Sequence, residues 1–304
     1  MPYQTKLAFL YVAIGASLWG IIGFFVKELS LAGFTSLQIV FLRATSAFLL
    51  FLAWIVLKNP ALLKIKLKDT WYFLGTGILS VSFFNWCYFT TIQTSSLAIA
   101  AILLYTAPAF VLVISSIVFK EKLTHQKLLA LTVTFIGCTL VSGLFSAQLE
   151  LSITSLLIGL GAGFGYSLYS IFGKLASRKY ETLTISIYTF FFAMLALFPI
   201  SDMTSANIQV FRPSVLMNVI GLGLFPTVFA YWFYTQGLKQ MDASKAAIVS
   251  TIEPVVATLM GMLLYKESIS IVQSIGIIFV LGAVLMIQER KGKNIQTPTI
   301  QNRH

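Results

Sequence analysis

Charged side chains are scarce in this chain. They make up 10% of its 304 residues, where a water-soluble domain carries about a quarter. With 58% hydrophobic residues and a mean hydropathy of +0.88, a water-soluble fold is excluded and an integral membrane protein is expected. Cysteine is almost absent. Cys87 and Cys138 both fall in apolar stretches without Cys-x-x-Cys or Cys/His ligand spacing, so neither a disulfide framework nor a metal site is expected, and both read as small hydrophobes in packed spans. Also missing are a hydrolase triad, a paired-carboxylate site, a zinc motif and a phosphate-binding loop, so no catalytic residues and no cofactor are expected. The net charge of +11 would suggest nucleic acid in a soluble chain. Here the basic residues sit in short loops between apolar runs, where they set membrane orientation, and no nucleic-acid partner is expected. The first apolar stretch, from about Leu7 to Val26, holds bulky residues where a small-residue cleavage site would lie, and it reads as a transmembrane helix rather than a signal peptide.

What the chain does have is long apolar runs. Pro, Gly and charged residues divide it into ten stretches of about 20 residues, the length that crosses a hydrocarbon core of about 30 Å. The approximate spans are 7–26, 36–57, 70–90, 97–119, 127–145, 153–174, 183–201, 215–237, 243–265 and 270–288. With the N-terminus placed in the cytoplasm, 17 of the 21 Lys and Arg residues fall in inside segments. Only Lys27, Arg212 and Lys266 fall outside, and Arg43 lies within a span. Translocating short basic loops is unfavourable, so this split predicts both termini inside.

A repeat gives the spans their order. Residues 75–121 recur without a gap at 221–267, and eleven of these 47 positions are identical, among them Trp86/Trp232, Tyr88/Tyr234, Pro108/Pro254 and the pair Lys120-Glu121/Lys266-Glu267. Membrane composition raises chance matches among Leu, Ile and Ala but not at Trp, Tyr, Pro and a Lys-Glu pair in one register. Five helices per copy is an odd number, so the second copy enters the bilayer upside down. The predicted fold is therefore an all-α membrane protein of ten transmembrane helices. It comprises two inverted five-helix repeats at residues 1–146 and 147–290, with a polar cytoplasmic tail at 291–304. Such a duplication gives one protein two equivalent shapes, open to either side of a midplane site, and is the signature of a transporter.

Glu253 is the sharpest candidate residue, near the middle of the ninth span. A carboxylate there costs at least about 2.5 kcal/mol on insertion scales, so it is expected to face a cavity or a partner. Two readings stand: a group that binds a cation or carries a proton, and a structural carboxylate that bonds across helices or stabilises a break at Pro254. Its counterpart in the first copy is Ala107, so the acid is an asymmetric addition to a symmetric frame. Pro108 and Pro254 sit at equivalent mid-helix positions, where each removes a backbone hydrogen bond and predicts a kink. Pro199 and Pro226 lack counterparts and read as local adjustments. Arg43 is open to three roles: pairing with Glu253, binding an anionic group of a substrate, or snorkelling to the interface.

Among the aromatics, Trp and Tyr carry a polar atom that needs a partner, so within a span they mark an interfacial belt or a wet cavity. Trp19 and Tyr105 lie too deep for a belt, and Tyr166 and Tyr169 belong to the same selective set. Trp86, Tyr88, Trp232 and Tyr234 fall late in their spans, where the belt reading is at least as good. An aromatic-lined cavity suits apolar, aromatic or cationic molecules, the last through cation-π contact. Gly159, Gly161, Gly163 and Gly165, and Ala246, Ser250, Ala257 and Gly261, mark close helix contacts. His125 reads as a solvated loop residue.

Leu18-Trp19-Gly20, Arg43, and Pro108 with Lys120-Glu121 echoed by Glu253-Pro254 with Lys266-Glu267 resemble the drug/metabolite transporter superfamily, and within it the EamA family. The resemblance covers residues 7–288. It implies a multi-pass carrier of a bacterial or archaeal inner membrane, usually an exporter of amino acids or other small metabolites, sometimes of aromatic or cationic compounds. It also implies that helices one to four and six to nine surround a central cavity. Trp19, Tyr105, Tyr166, Tyr169 and Glu253 would line that cavity, while Glu121 and Glu267 would be structural or gating positions.

The expected function is thus secondary-active export of a small molecule by alternating access, driven by protons or the membrane potential, in a monomer or homodimer. An uptake carrier or facilitator of the same fold is the alternative. A polytopic enzyme or receptor would need a polar catalytic cluster or a soluble domain, and neither is visible.

Overall fold

The computed structural model describes residues 3–143, 152–203 and 209–288, and all regular structure among them is helical. The expected boundary between the copies, at 146–147, and the polar tail lie outside the described residues. Seven helices are long and apolar enough to cross a membrane: α1 (Thr5–Leu31), α2 (Ser36–Lys58), α4 (Leu97–Val118), α6 (Ile153–Ala176), α7 (Thr182–Ile200), α8 (Pro213–Gln240) and α9 (Ala243–Tyr265). The remaining rods are α3 (residues 70–94), which contains a π-helical turn at Gly75–Ser82, and two apolar helices of 17 residues, α5 (His125–Val141) and α10 (Ile271–Ile287).

Helix starts follow from local chemistry. The side chains of Thr35, Ser96, Thr124, Ser152 and Ser270 each accept a hydrogen bond from a first-turn N–H of the helix that follows, and Thr35 and Ser270 complete capping boxes with Gln38 and Gln273. Helix stops repeat as well. Lys120 and Lys266, equivalent residues at the ends of α4 and α9, both adopt the left-handed conformation at φ 56°, which costs a non-glycine residue about 1–2 kcal/mol. The repeated Lys-Glu pair therefore marks a repeated chain reversal.

The two copies embrace through antiparallel pairs. Helices α2 and α7 pair through Phe41 with Phe198, Phe48 with Phe191 and Phe51 with Phe190, at ring distances of 5.9, 5.5 and 6.0 Å. Between α5 and α10, Gln126 donates to the Met286 carbonyl and Gln273 to the Val141 carbonyl, again with opposite chain directions. Helix α1 runs antiparallel to α8, with Gly15 on Ala230 and Tyr234 and Gly237 on Ala8 and Val12, and α3 runs antiparallel to α6. Exchanging each helix of the first copy with its counterpart in the second turns the α1–α8 contact into the α6–α3 contact and maps α2–α7 and α5–α10 onto themselves. The equivalent helices α2 and α7, and likewise α5 and α10, thus point in opposite directions.

Backbone meets backbone where α5 crosses α10. A Cβ at Gly276 would lie 2.8 Å from both the Gly137 carbonyl oxygen and the Val141 nitrogen. Overpacking such a contact costs about 1–3 kcal/mol. Gly276→Leu is therefore expected to lower the melting temperature of the purified protein by several degrees. Gly282→Leu, on the same helix with nothing within 4 Å of its Cβ position, should leave it unchanged.

Candidate functional site

Helices α4 and α9 are each broken near their middle. The breaks fall at Tyr105–Thr106 and at Ser250–Thr251, three residues or so before Pro108 and Pro254, whose missing N–H cannot bond the carbonyl one turn back. Local groups take up the freed backbone. The Thr106 hydroxyl donates to the Leu103 carbonyl at 2.5 Å, Thr251 to Ile248 at 2.6 Å and Ser250 to Ala247 at 2.8 Å, and the Glu253 N–H reaches the Ser250 carbonyl at 3.1 Å. A glycine of a neighbouring helix is pressed against each break. A Cβ on Gly163 would fall 2.3 Å from the Thr106 hydroxyl, and one on Gly20 would fall 2.8 Å from the Glu253 carbonyl oxygen. The kinks expected from the prolines are thus full interruptions of the helix.

The break places Glu253 in the first turn of the second half of α9, Ile252–Tyr265, where the partial positive charge of a helix N-terminus favours an anion. Its carboxylate accepts a hydrogen bond from the Tyr166 hydroxyl of α6 at 3.0 Å, and it makes no ion pair among the described residues. Arg43 is engaged elsewhere. Its Nε donates to Thr227 Oγ1 at 2.9 Å and its Nη2 to the Pro226 carbonyl at 3.4 Å, and the guanidinium lies 5.9 Å from the Tyr231 ring centre. Thr227 and Pro226 belong to a π-helical turn at Leu224–Phe229 in α8, the counterpart of the π turn in α3. The residue of α7 equivalent to Arg43 is Thr189, and its hydroxyl bonds Thr76 of that other π turn at 2.6 Å. Beside the three roles open to it, Arg43 holds the π turn of the opposite copy.

Beside the broken α9 lies a cluster of aromatic rings. Trp19 packs edge-on against Tyr166 and Tyr231 at 6.1 and 5.3 Å and tilts against Tyr234 at 4.9 Å. Tyr169 meets Tyr231 edge-on at 4.9 Å. These rings, with Phe84, Ser80 and Ser170, enclose a cavity of about 10 Å³, the room that one water needs. Tyr169 and Tyr234 anchor their hydroxyls on Thr235 and Ser170, both at 2.7 Å, whereas the Trp19 indole Nε1, on a side chain 6% exposed, is buried without a partner. Tyr105 stands apart from this chamber, packed with Cys138, Val255, Val280 and Ile277 towards α5 and α10.

The structure thus brings Trp19, Tyr166 and Tyr169 together, sets Glu253 one hydrogen bond behind them, and keeps Tyr105 and Arg43 outside the lining. Of the lining residues, Ser80, Phe84, Ser170 and Tyr231 are not among the candidates the sequence offers, and for Tyr234 the sequence leaves belt and cavity both open. Tyr234 fits no interfacial belt, because α8 continues to Gln240 and leaves it 3% exposed in the interior. Tyr231 was unmarked; its spacing of three from Tyr234, which puts both rings on one helix face, was the available signal.

A second polar site joins the copies at one end of the bundle. Glu121, after α4, accepts hydrogen bonds from the N–H groups of Ala243 and Ser244 at 2.7 and 3.2 Å and from the Ser244 hydroxyl at 2.5 Å, so its carboxylate caps the start of α9. Lys127 bridges Glu121 at 3.4 Å and Asp242 at 2.9 Å; the side chains of Lys127 and Glu121 are only 4% and 6% exposed. The equivalents of Glu121, Lys127 and Asp242 are Glu267, Gln273 and Ser96. Glu267 is exposed, Gln273 turns to Ser270 and Val141, and Ser96 caps α4 itself. The second segment of α4 packs on the first segment of α9, and no comparable contact is made between the second segment of α9 and the first of α4.

Comparison with known proteins places this architecture. The EamA-like transporter family matches at residues 6–143 and again at 153–288. An uncharacterized transporter of Archaeoglobus fulgidus is 28% identical over 279 residues, covering 90% of this chain and 94% of the relative. The uncharacterized transporter YetK of Bacillus subtilis is 26% identical over 297 residues, covering 96% and 88%. A solved crystal structure superposes with a TM-score of 0.76 at 17% identity, over 92% of this chain and 95% of that one, a likeness of fold. With both halves matched and seven apolar helices of membrane-spanning length, the chain is a multi-pass membrane protein and belongs to the EamA-like transporter family.

Proposed function

We propose that the chain is a secondary-active exporter of small metabolites, amino acids or aromatic and cationic compounds. In this reading it crosses the membrane ten times as two inverted five-helix copies with both termini in the cytoplasm. The substrate site is the chamber walled by Trp19, Tyr166, Tyr169, Tyr231 and Tyr234. Aromatic faces attract an organic cation, the unpartnered Trp19 N–H offers a donor to a carboxylate or carbonyl, and Glu253, linked through Tyr166, supplies the charge that couples transport to a proton. Pro108, Pro254 and the glycines pressed on the breaks allow the half-helices to tilt.

The observation that carries this reading is the unequal state of two equivalent ends. Glu121, Lys127 and Asp242 clasp α4 to α9 at one end, while Glu267, Gln273 and Ser96 leave the other end without a charged clasp. A symmetric frame clasped at one end only is consistent with an alternating-access carrier held in one of its two states. With both termini in the cytoplasm, as this reading has them, the clasped end lies on the cytoplasmic side and the conformer is closed to the inside.

A thermal-shift screen against amino acids, aromatic metabolites and quaternary cations is expected to identify the substrate class, because a ligand at 100 times its Kd stabilises the native state by about 2.7 kcal/mol. With such a ligand in proteoliposomes, Glu253→Gln should abolish gradient-driven accumulation and spare counterflow; retained pH-driven transport removes Glu253 from coupling. Transport against imposed gradients of either sign separates export from uptake. Breaking one partner of a buried charge cluster costs about 3–5 kcal/mol, so Glu121→Ala should open the clasped end. In a background lacking Cys87 and Cys138, a cysteine replacing buried Ala246 should then react with a membrane-impermeant thiol reagent several-fold faster than with Glu121 intact. An unchanged rate rules out the clasp as a gate.

A further inference from the structure

A cavity far larger than the central chamber lies outside it, between the two copies. It measures about 600 Å³ and is lined by Lys64, Lys66, Lys68, Asp69, Lys179 and Tyr180 beside Ile65. The first copy contributes the segment between α2 and α3, and the second contributes the turn between α6 and α7. The walls are built. Asp69 accepts from Lys179 Nζ at 2.7 Å and from the Tyr180 hydroxyl at 2.9 Å, and Tyr180 accepts from the Lys66 N–H at 3.1 Å. The same segment is tied to α7 by the Thr184 and Tyr188 hydroxyls, which donate to the Leu62 and Leu63 carbonyls at 2.8 and 2.6 Å.

Charge in this cavity is unbalanced. Asp69 is committed to Lys179 and Tyr180, and the ammonium hydrogen-bonded to it holds its carboxyl below the usual carboxylate range. Lys64, Lys66 and Lys68 make no ion pair among the described residues, so the lining sets four ammonium groups, with Lys179, against the single carboxylate of Asp69. The flanking residues are apolar and turned outward: Leu67, between two of these lysines, is 89% exposed, and Trp71, at the start of α3, is 46% exposed. Lysines beside an exposed Leu and Trp at the ends of apolar helices lie where phosphates sit above acyl chains.

We infer that this cavity binds the phosphate headgroup of an anionic phospholipid, with Lys64, Lys66 and Lys68 holding the phosphate and Leu67 and Trp71 seated among the acyl chains. A soluble phosphate would use the same lysines but gains nothing from Leu67 and Trp71, which is why the lipid is the chosen occupant. Because its walls come from both copies, a bound headgroup braces the two halves together.

Native mass spectrometry of the detergent-purified full chain, titrated with phosphatidylglycerol and with phosphatidylcholine, tests the assignment. The anionic lipid is expected to bind at least about tenfold more tightly. Lys64→Gln/Lys66→Gln/Lys68→Gln should bring it down to the phosphatidylcholine level, the corresponding triple Arg variant should retain it, and Lys6→Gln/Lys122→Gln, a control elsewhere on the basic surface, should match the wild type. These three lysines are exposed, so the variants fold, and binding in micelles is indifferent to the orientation adopted in the cell. Equal binding of the two lipids, or undiminished binding by the triple Gln variant, overturns the site. Displacement of the lipid by an equal concentration of inorganic phosphate overturns the lipid assignment in favour of a soluble anion.

Discussion

No water is present in the core of a bilayer to bond a backbone group that leaves its helix, so every irregularity there must find a partner within the protein. Among the described residues, four such irregularities beside the aromatic chamber are supplied by named side chains. The interruptions in α4 and α9 are met by the hydroxyls of Thr106, Ser250 and Thr251. The π turns in α3 and α8 are met by their own Ser82 and Thr227 hydroxyls and, across the copies, by Thr189 and Arg43. Without those partners the prolines would only destabilise; with them, the chain keeps non-helical backbone beside its aromatic chamber.

Symmetry and its failure have separate physical roles. The copies share what frames them: the Lys stops at φ 56°, the prolines, the π turns and the antiparallel pairs. They differ where charge is placed. Glu253 faces Ala107, Arg43 faces Thr189, and the clasp of Glu121, Lys127 and Asp242 faces Glu267, Gln273 and Ser96. The clasped end is also the end where α4 packs on α9, so charge and packing depart from symmetry at the same place.

Much of this was legible in the sequence because a bilayer makes apolar length and repeated Trp, Tyr, Pro and Lys-Glu positions unambiguous. Trp19, Tyr166 and Tyr169 stood out because a buried indole or phenol needs a reason to be there. The partners of polar groups were not legible. Arg43 reaches a residue 184 positions away, and no local pattern encodes that. Lys127 reads as one more loop lysine until the fold brings Asp242 beside it. Tyr234 stays open between belt and cavity in the sequence because the expected span ends at 237, whereas the helix runs to Gln240, a difference of about one turn that decides between surface and interior.

The seam between α5 and α10, where Gly137 and Gly276 let two backbones touch, maps onto itself when the copies are exchanged. A self-complementary contact is one that a five-helix unit can make with a second, identical unit. Joining the units in one chain converts an encounter that depends on concentration into one that occurs within the molecule. It also releases the two sides from identity: a mutation in a homodimer is imposed twice, whereas here an arginine at one site leaves its twin free to remain a threonine.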